Sequence, residues 1–473
     1  MVKDTGKIII SFFVFIKETG MEGQESVKRG TWGSKIAFIF AATGSAIGLG
    51  NIWRFPTMVS QNGGAVFVLV YILAVALIGF TVMLAELTIG RHAQKNPVGA
   101  IGYIKPRSPW KFIGYLGVIT GVCILSYYSV VAGWTVGYIV KTATGSFSGN
   151  VTSQLTEKIF TEFTSNPGQV IFLLFLFIGT TTYIISKGVK KGIERWTKVL
   201  MPILFMLIIF LTVRALTLPD ASTGVNYYLK PDFSKLSGTV VLFALGQAFF
   251  SLSLGMGTMI TYGSYISKSD NLVSSAGWVT FSDTIVALLA GLIIFPTLAF
   301  AGQSMDIGGF GLVFQIFPII FSQIPGGYIF AVLFFTLLCV AALTSTISLL
   351  EVPVAYLVDE REWSREKAAL AVGFLSFVIG VPSALSFGGM KFFTKIDFFG
   401  RFDFIFGNIS LAVGALFICL FVGYVWGVKN AIKEIFSGNP GFKMKPLWVF
   451  SLKFLSPLAI IFILIFIKKI VSG

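Results

Sequence analysis

A chain of 473 residues that is 55% hydrophobic and 12% charged, with a mean hydropathy of +0.85, is excluded from the ordinary soluble class and reads as a polytopic membrane protein. Its net charge of +15 would suggest nucleic acid in a soluble domain, but the basic residues gather in particular loops, where topology accounts for them. One histidine, His92, and three cysteines inside apolar runs, Cys123, Cys339 and Cys419, exclude histidine triads, two-histidine haem ligation and zinc hydrolase chemistry, and no GxxxxGK(S/T) stretch offers ATP hydrolysis.

Residues 8–16 form an apolar block behind Lys3 and Lys7. The block is too short to span and no small-residue cleavage site follows it. Residues 1–28 therefore read as a flexible N-terminal extension, with Met21 as a second plausible start. At about 20 apolar residues per crossing, eleven helices follow, near 35–59, 65–89, 113–141, 168–186, 197–217, 238–266, 273–300, 327–357, 367–387, 402–428 and 447–470. The fold class expected is all-α and polytopic. Lysines and arginines crowd the loop after the second span (Arg91, Lys95, Lys105, Arg107, Lys111) and that after the fourth (Lys187, Lys190, Lys191, Arg195, Lys198), while 301–325 has none. By the positive-inside rule the N-terminus is cytoplasmic, in a multi-pass protein of the plasma membrane.

Two of these spans are interrupted. Gly44-Ser-Ala-Ile-Gly-Leu-Gly-Asn-Ile-Trp-Arg-Phe-Pro56 carries three further breakers after its first glycine inside the first span. Each glycine costs a helix about 1 kcal/mol and proline about 3, and backbone groups freed in hydrocarbon must find partners inside the protein. The sixth span repeats the device at Ser251-Leu-Ser-Leu-Gly-Met-Gly-Thr258. Five spans separate the breaks, and because five is odd, repeats over 29–217 and 237–428 have opposite topology, leaving 429–473 as a cytoplasmic loop and the eleventh helix. Paired, glycine-interrupted helices point to a transporter's binding site.

With both breaks in view, the chain resembles the neurotransmitter:sodium symporter family of the prokaryotic kind, similar to the bacterial leucine and hydrophobic amino acid transporters, themselves a type case of that rule. The resemblance runs from about Arg29 to the last span and is carried by Gly48-Leu-Gly-Asn-Ile-Trp-Arg-Phe-Pro56, Gly246-Gln-Ala-Phe-Phe-Ser-Leu-Ser-Leu-Gly-Met-Gly257 and Leu343-Thr-Ser-Thr-Ile347. It implies a sodium-coupled symporter with two sodium ions. One ion would take the carbonyls of Gly44, Ile47 and Ala341 and the hydroxyls of Thr344 and Ser345, against the bland alternative that these hydroxyls bond back to their own helix. The other would take Ala46, Asn51, Ser251, a residue of span seven and the substrate carboxylate. The family usually has Asn on span seven; here the position is Asp283 or Ser282, depending on the anchor. Asp283 is favoured because a lone intramembrane carboxylate belongs near a cation, and its charge would make transport independent of chloride.

The resemblance further implies that amide groups near Gly50 and the Tyr128 hydroxyl hold the substrate carboxylate, as a half-helix N-terminus suits an anion. Amine carriers of the family have Asp where this chain has Gly48, so an amino acid is expected. Phe249, Phe250, Ser253, Met256, Ser345 and Leu349 would line an apolar subsite for a hydrophobic or aromatic side chain. Arg54 with Asp403 and Arg29 with Asp359 resemble the outer and cytoplasmic gates, the latter supported by Trp32 and Tyr265. Gly192 and Pro202 match a span-five pattern that permits unwinding, and Glu86 is assigned a structural role. No nucleic acid partner is implied; sodium, an amino acid and the bilayer are. The lone loop histidine counts against an intramembrane enzyme, and uptake that saturates with substrate and stops without sodium would exclude a channel. A proton-coupled permease with the same inverted repeat is the alternative within transporters.

Overall fold

With no water in a bilayer core, each peptide group must be satisfied within the protein, and the apolar runs fold accordingly as helices. The computed structural model describes residues 30–149, 151–305, 308–438 and 440–472, and among these there is no strand. The N-terminal extension, 1–28, and Arg29, expected at the cytoplasmic gate, lie outside the described residues. Thr31–Gly473 pack as one compact unit.

Among the described residues, nine helices are long and apolar enough to cross a membrane: Ala65–Ala93 (span 2), Pro109–Ala143 (3), Pro167–Ser186 (4), Val189–Leu216 (5), Leu272–Phe300 (7), Gly327–Arg361 (8), Arg365–Ala384 (9), Phe398–Val425 (10) and Lys445–Phe466 (11). Span 1 is the pair Lys35–Ala46 and Gly50–Gln61, bent by 50° at the break. Span 6 is Gly238–Ser251 and Thr258–Gly263. The largest departure from the expected boundaries is span 5, which starts at Val189 and not near 197. Its first turns hold Lys190, Lys191 and Arg195, whose long stems reach water from within a helix end.

Span 3 is the most buried helix and packs on spans 8, 9 and 4. Spans 6 and 10 meet backbone to backbone: a Cβ on Gly414 would lie 1.9 Å from the Gly255 carbonyl oxygen. Such approach requires glycine on the crossing helix. Spans 2 and 11 each widen into a π segment, Val75–Gly79 and Ser451–Leu455. Ser451 Oγ and Thr81 Oγ1 both donate to the Leu77 carbonyl at 2.7 Å, so the group exposed by the wider turn is bonded by side chains.

Between spans 10 and 11 a linker helix, Val428–Gly438, buries Ala431, Ile432 and Ile435. It is pinned by Glu434, whose carboxylate accepts from Arg91 Nε (2.8 Å) and Lys268 Nζ (3.1 Å) and lies 3.0 Å from His92 Nδ1. Arg91 also reaches the Glu434 carbonyl and, at 2.6 Å, that of Asp270. One carboxylate thus ties the end of span 2 and the loop after span 6 to the linker.

Candidate functional site

Span 1 leaves the helix at Ile47, whose ψ of 108° is extended, and resumes at Gly50 as a π turn. On span 6, Ser253, Gly255 and Gly257 have φ of 54°, 83° and 78°, a region glycine enters without a Cβ penalty. Each break serves the other. Ser253 Oγ donates to the Ser45 carbonyl and Gln247 Nε2 to the Gly50 carbonyl, both at 2.9 Å. Glu86, on span 2, accepts from the Gly255 N–H at 2.7 Å and so holds the second break open.

Four buried polar side chains meet beside the first break. Asn51 Nδ2 lies 2.7 Å from Asp283 Oδ1 and 3.0 Å from Ser251 Oγ, while Asn51 Oδ1 accepts from the Gly48 N–H at 3.1 Å. Ser251 Oγ is 2.9 Å from Asp283 Oδ2, and the Tyr71 hydroxyl reaches Ser251 at 3.2 Å and Asp283 at 3.4 Å. Of the two candidates on span 7, Asp283 is fully buried at this cluster and Ser282 is half-buried, about 100° further round the helix. Among the described residues no Lys, Arg or His pairs with Asp283. A buried carboxylate without a countercharge is costly, so this one is suited to a bound cation.

A second group of oxygens lies between spans 1 and 8. Ser345 Oγ approaches the carbonyls of Ile47 (3.3 Å) and Ser45 (3.4 Å). Thr344 Oγ1 bonds back to the Ala341 carbonyl at 3.0 Å, leaving lone pairs on both atoms. A Cβ on Gly44 would lie 3.1 Å from Thr344 Cβ and 3.0 Å from the Met201 sulfur; Met201, from span 5, therefore covers this group. Among the described residues no three His, Cys, Asp or Glu side chains gather as metal ligands. Neutral hydroxyls and carbonyls of this kind suit a hard monovalent ion better than a transition metal.

Two cavities stack along the breaks. The inner one, about 30 Å³, is lined by Ala46, Gly48, Gly50, Tyr128, Phe250, Ser253, Met256, Ser345 and Leu349, together with Ile124 and Leu411. Among the described residues no charged side chain lines it. The Tyr128 hydroxyl accepts from the Leu49 N–H at 2.9 Å. The outer cavity, about 330 Å³, begins at Tyr128 and Phe250 and runs out past Arg54 and Asp403. Phe249, expected in the side-chain subsite, lines this outer cavity instead, because one helical step turns it away from the inner one. Tyr127 and Tyr128 likewise separate: Tyr127 lines only the outer cavity.

The model of the sodium:neurotransmitter symporter family matches residues 29–158 and 147–472. The chain belongs to the sodium:neurotransmitter symporter family. Members are transporters, not enzymes. The chain is 40% identical to the uncharacterized sodium-dependent transporter YhdH of Bacillus subtilis, over 93% of this chain and 98% of that one. It is 36% identical to an uncharacterized sodium-dependent transporter of Haemophilus influenzae, with the same coverage of each. The crystal structure of MhsT in complex with L-phenylalanine superimposes with a TM-score of 0.85 at 44% identity, covering 92% of this chain and 99% of MhsT. The fold of this transporter is thus that of the leucine-transporter class, with broken spans 1 and 6.

In this transporter the two residues expected to form an outer gate are apart: among the described residues no ion pair joins Arg54 to Asp403. The Arg54 guanidinium lies 4.1 Å over the Phe250 ring and donates to Asn408 Oδ1 at 2.8 Å. Trp53 donates to the Gly309 carbonyl at 2.8 Å and stacks on Phe310 at 4.5 Å, tying the outer half of span 1 to the segment Gly309–Gln323. The opposite side is sealed. Trp32 donates from its backbone to the Tyr265 carbonyl (3.2 Å) and from Nε1 to the Tyr262 carbonyl (3.1 Å), and Gly33 N–H donates to Glu194 at 2.8 Å. Tyr265 OH donates to buried Glu351 at 2.6 Å, and Arg365 pairs with the other Glu351 oxygen. Asp359 accepts from the Asn96 N–H at 2.8 Å.

Sequence reasoning missed Tyr71, Gln247, Glu194, Glu351 and Arg365. Glu351 carried a usable signal, being an acidic residue inside an apolar span, the same observation that singled out Asp283. Tyr71 carried none, since a tyrosine in a span is ordinarily packing.

Proposed function

We propose that the protein is a sodium-coupled symporter that imports a hydrophobic or aromatic amino acid across the plasma membrane by alternating access. The observation that carries this reading is the inner cavity, which has hydroxyls and backbone groups at one end, apolar walls elsewhere and no charged side chain. A zwitterion brings both charges with it, and a ring or branched chain suits the rest. At about 30 Å³ the cavity has to widen for a large side chain. Met256 and Phe250 are the movable walls, since a thioether adapts readily.

Two sodium ions are the proposed coupling. One is held by Ala46, Asn51, Ser251 and Asp283 with the substrate carboxylate. The other is held by Gly44, Ile47, Ala341, Thr344 and Ser345. Asp283 supplies the negative charge that makes chloride unnecessary. The substrate carboxylate accepts from the Tyr128 O–H, whose oxygen keeps the Leu49 N–H, and lies near Gly50. Closure brings Arg54 to Asp403 on the outside; Arg29 and Asp359 serve as the cytoplasmic gate, and opening on that side, where the N-terminus lies, breaks the Trp32 contacts.

Uptake of radiolabelled phenylalanine into proteoliposomes under imposed gradients tests the proposal, followed by competition from each of the other amino acids. Accumulation is expected with an inward sodium gradient, in gluconate as well as chloride. Accumulation driven by a pH gradient alone would overturn the sodium assignment.

A further inference from the structure

Between Phe404 and Gly473 the only acidic side chain is Glu434, and it is turned inward onto Arg91, His92 and Lys268. Five lysines surround it in sequence, Lys429, Lys433, Lys443, Lys445 and Lys453. Among the described residues none of the five makes an ion pair. The linker helix buries its apolar face and leaves Lys429 and Lys433 exposed. Lys445 opens span 11 with its ammonium 5.8 Å from the Phe436 ring.

Lys453 is the unusual member. It lies eight residues inside span 11, where a lysine facing hydrocarbon is costly, between Phe450 and Phe454, which are 56% and 52% exposed. Its ammonium lies 5.1 Å from the ring of Tyr424 on span 10, and the Tyr424 hydroxyl donates to the Lys453 carbonyl at 2.8 Å. The stem lies against span 10 at Gly423, where a Cβ would make ordinary contact with Lys453 Cγ at 3.5 Å. The long side chain thus runs along span 10 toward its end, as a snorkelling cation does. The countercharge it lacks within the chain has to come from its surroundings.

We propose that the junction of span 10, the linker helix and span 11 binds an anionic phospholipid, with Lys453 and Lys445 supplying charge to the headgroup and Phe450, Phe454 and Leu458 lying along the acyl chains. Exposed apolar side chains beside unpaired lysines complement that ligand at both of its ends, and lysines near a bilayer surface attract anionic lipid. This inference does not depend on the ion or the amino acid carried.

The whole protein in nanodiscs containing equal amounts of phosphatidylglycerol and phosphatidylcholine with identical acyl chains, released into native mass spectrometry, tests it. Retained phosphatidylglycerol is expected in excess over phosphatidylcholine. Lys453→Gln is expected to lower that retention about fivefold, Lys453→Arg to restore it, and Lys158→Gln, at an exposed lysine elsewhere, to leave it unchanged. Thermal unfolding in phosphatidylcholine alone checks the fold. Should Lys453→Gln not fold, the Lys429→Gln, Lys445→Gln double variant decides by the same readout. Equal retention of the two lipids, or retention indifferent to the folded lysine variants, overturns the proposal. A dimer that dissociates on Lys453→Gln also overturns it, in favour of a second copy.

Discussion

Asp283 has three hydrogen-bonding neighbours, Asn51, Ser251 and Tyr71, and no fixed positive one, so its charge is most comfortable with a cation bound. Asp283→Asn is expected to raise the sodium concentration for half-maximal phenylalanine binding about tenfold, roughly 1.4 kcal/mol. If the carboxylate stands in for chloride, the variant also becomes chloride-responsive; sodium titrations in chloride and in gluconate measure both, and an unchanged sodium dependence would sink the assignment. Glu434 is the opposite case, a carboxylate with its countercharges built in. Burial alone would raise it, but hydrogen bonds from His92 and Lys268 and the charges of Lys268 and Arg91 hold it at about 2, below the usual 4.5. A depressed folded value stabilises above the unfolded one, so the linker's contribution is full above pH 4.5 and is lost as pH falls toward 2. Glu434→Gln is expected to remove that acid-sensitive part, as thermal unfolding between pH 6 and 3 would measure: wild type should lose midpoint steadily and the variant less. Residue identity at the site was legible wherever polarity was out of place in an apolar span, which is why Asp283 stood out. Tyr71 and Phe249 were not, because only the helix's rotation decides which cavity an aromatic faces.

Among the elements, span 5 is the one whose irregularity bears on the release step of the proposed cycle. Its π segment Val189–Glu194 leads to Met201 and Pro202, and Met201 covers Gly44 and Thr344. A Cβ on Gly192 would lie 2.1 Å from the Ile184 carbonyl oxygen, a backbone atom that cannot step aside. Gly192→Ala is expected to disturb this end of span 5, lowering turnover about tenfold while outward-side equilibrium binding of phenylalanine stays within about twofold. Equal loss in both would indicate general misfolding and not a release defect. The breaks in spans 1 and 6 could be read from glycine and proline within apolar runs. The π segments could not: Val75–Gly79 and Ser451–Leu455 carry no composition that separates them from ordinary helix, and their lasting mark is the pair of hydroxyls on the Leu77 carbonyl.

For the molecule as a whole, the separation of Arg54 from Asp403 and the contacts of Trp32, Tyr265 and Glu351 describe a state open on the side of Arg54 and closed on that of Trp32, outward and inward respectively under the proposed topology. A cysteine at Thr57, on the outer cavity wall, is expected to react with a charged thiol reagent in the absence of ligand. Labelling should slow at least about fivefold when sodium and phenylalanine together close the cavity; protection by neither would contradict the two-state picture. The eleven-helix architecture followed from hydrophobic run length, whereas this conformational state could not, because the same residues have to support both openings.

Gly48 carries a consequence that reaches beyond the ligand now proposed. A Cβ at this position would lie 2.5 Å from Ser345 Oγ and 2.7 Å from the Tyr128 hydroxyl, so the space beside it is already taken by two groups the site uses. Under the proposed function, substitutions among the apolar walls change which ring is accepted, whereas Gly48→Asp has to push the ends of the Ser345 and Tyr128 side chains aside before it can meet a decarboxylated amine. That displacement disturbs contacts to the break in span 1, since Ser345 Oγ lies by the Ser45 and Ile47 carbonyls and the Tyr128 hydroxyl accepts from the Leu49 N–H. In the proposed site, discrimination by charge is therefore coupled to the unwound stretch through two side chains, while discrimination by shape is not.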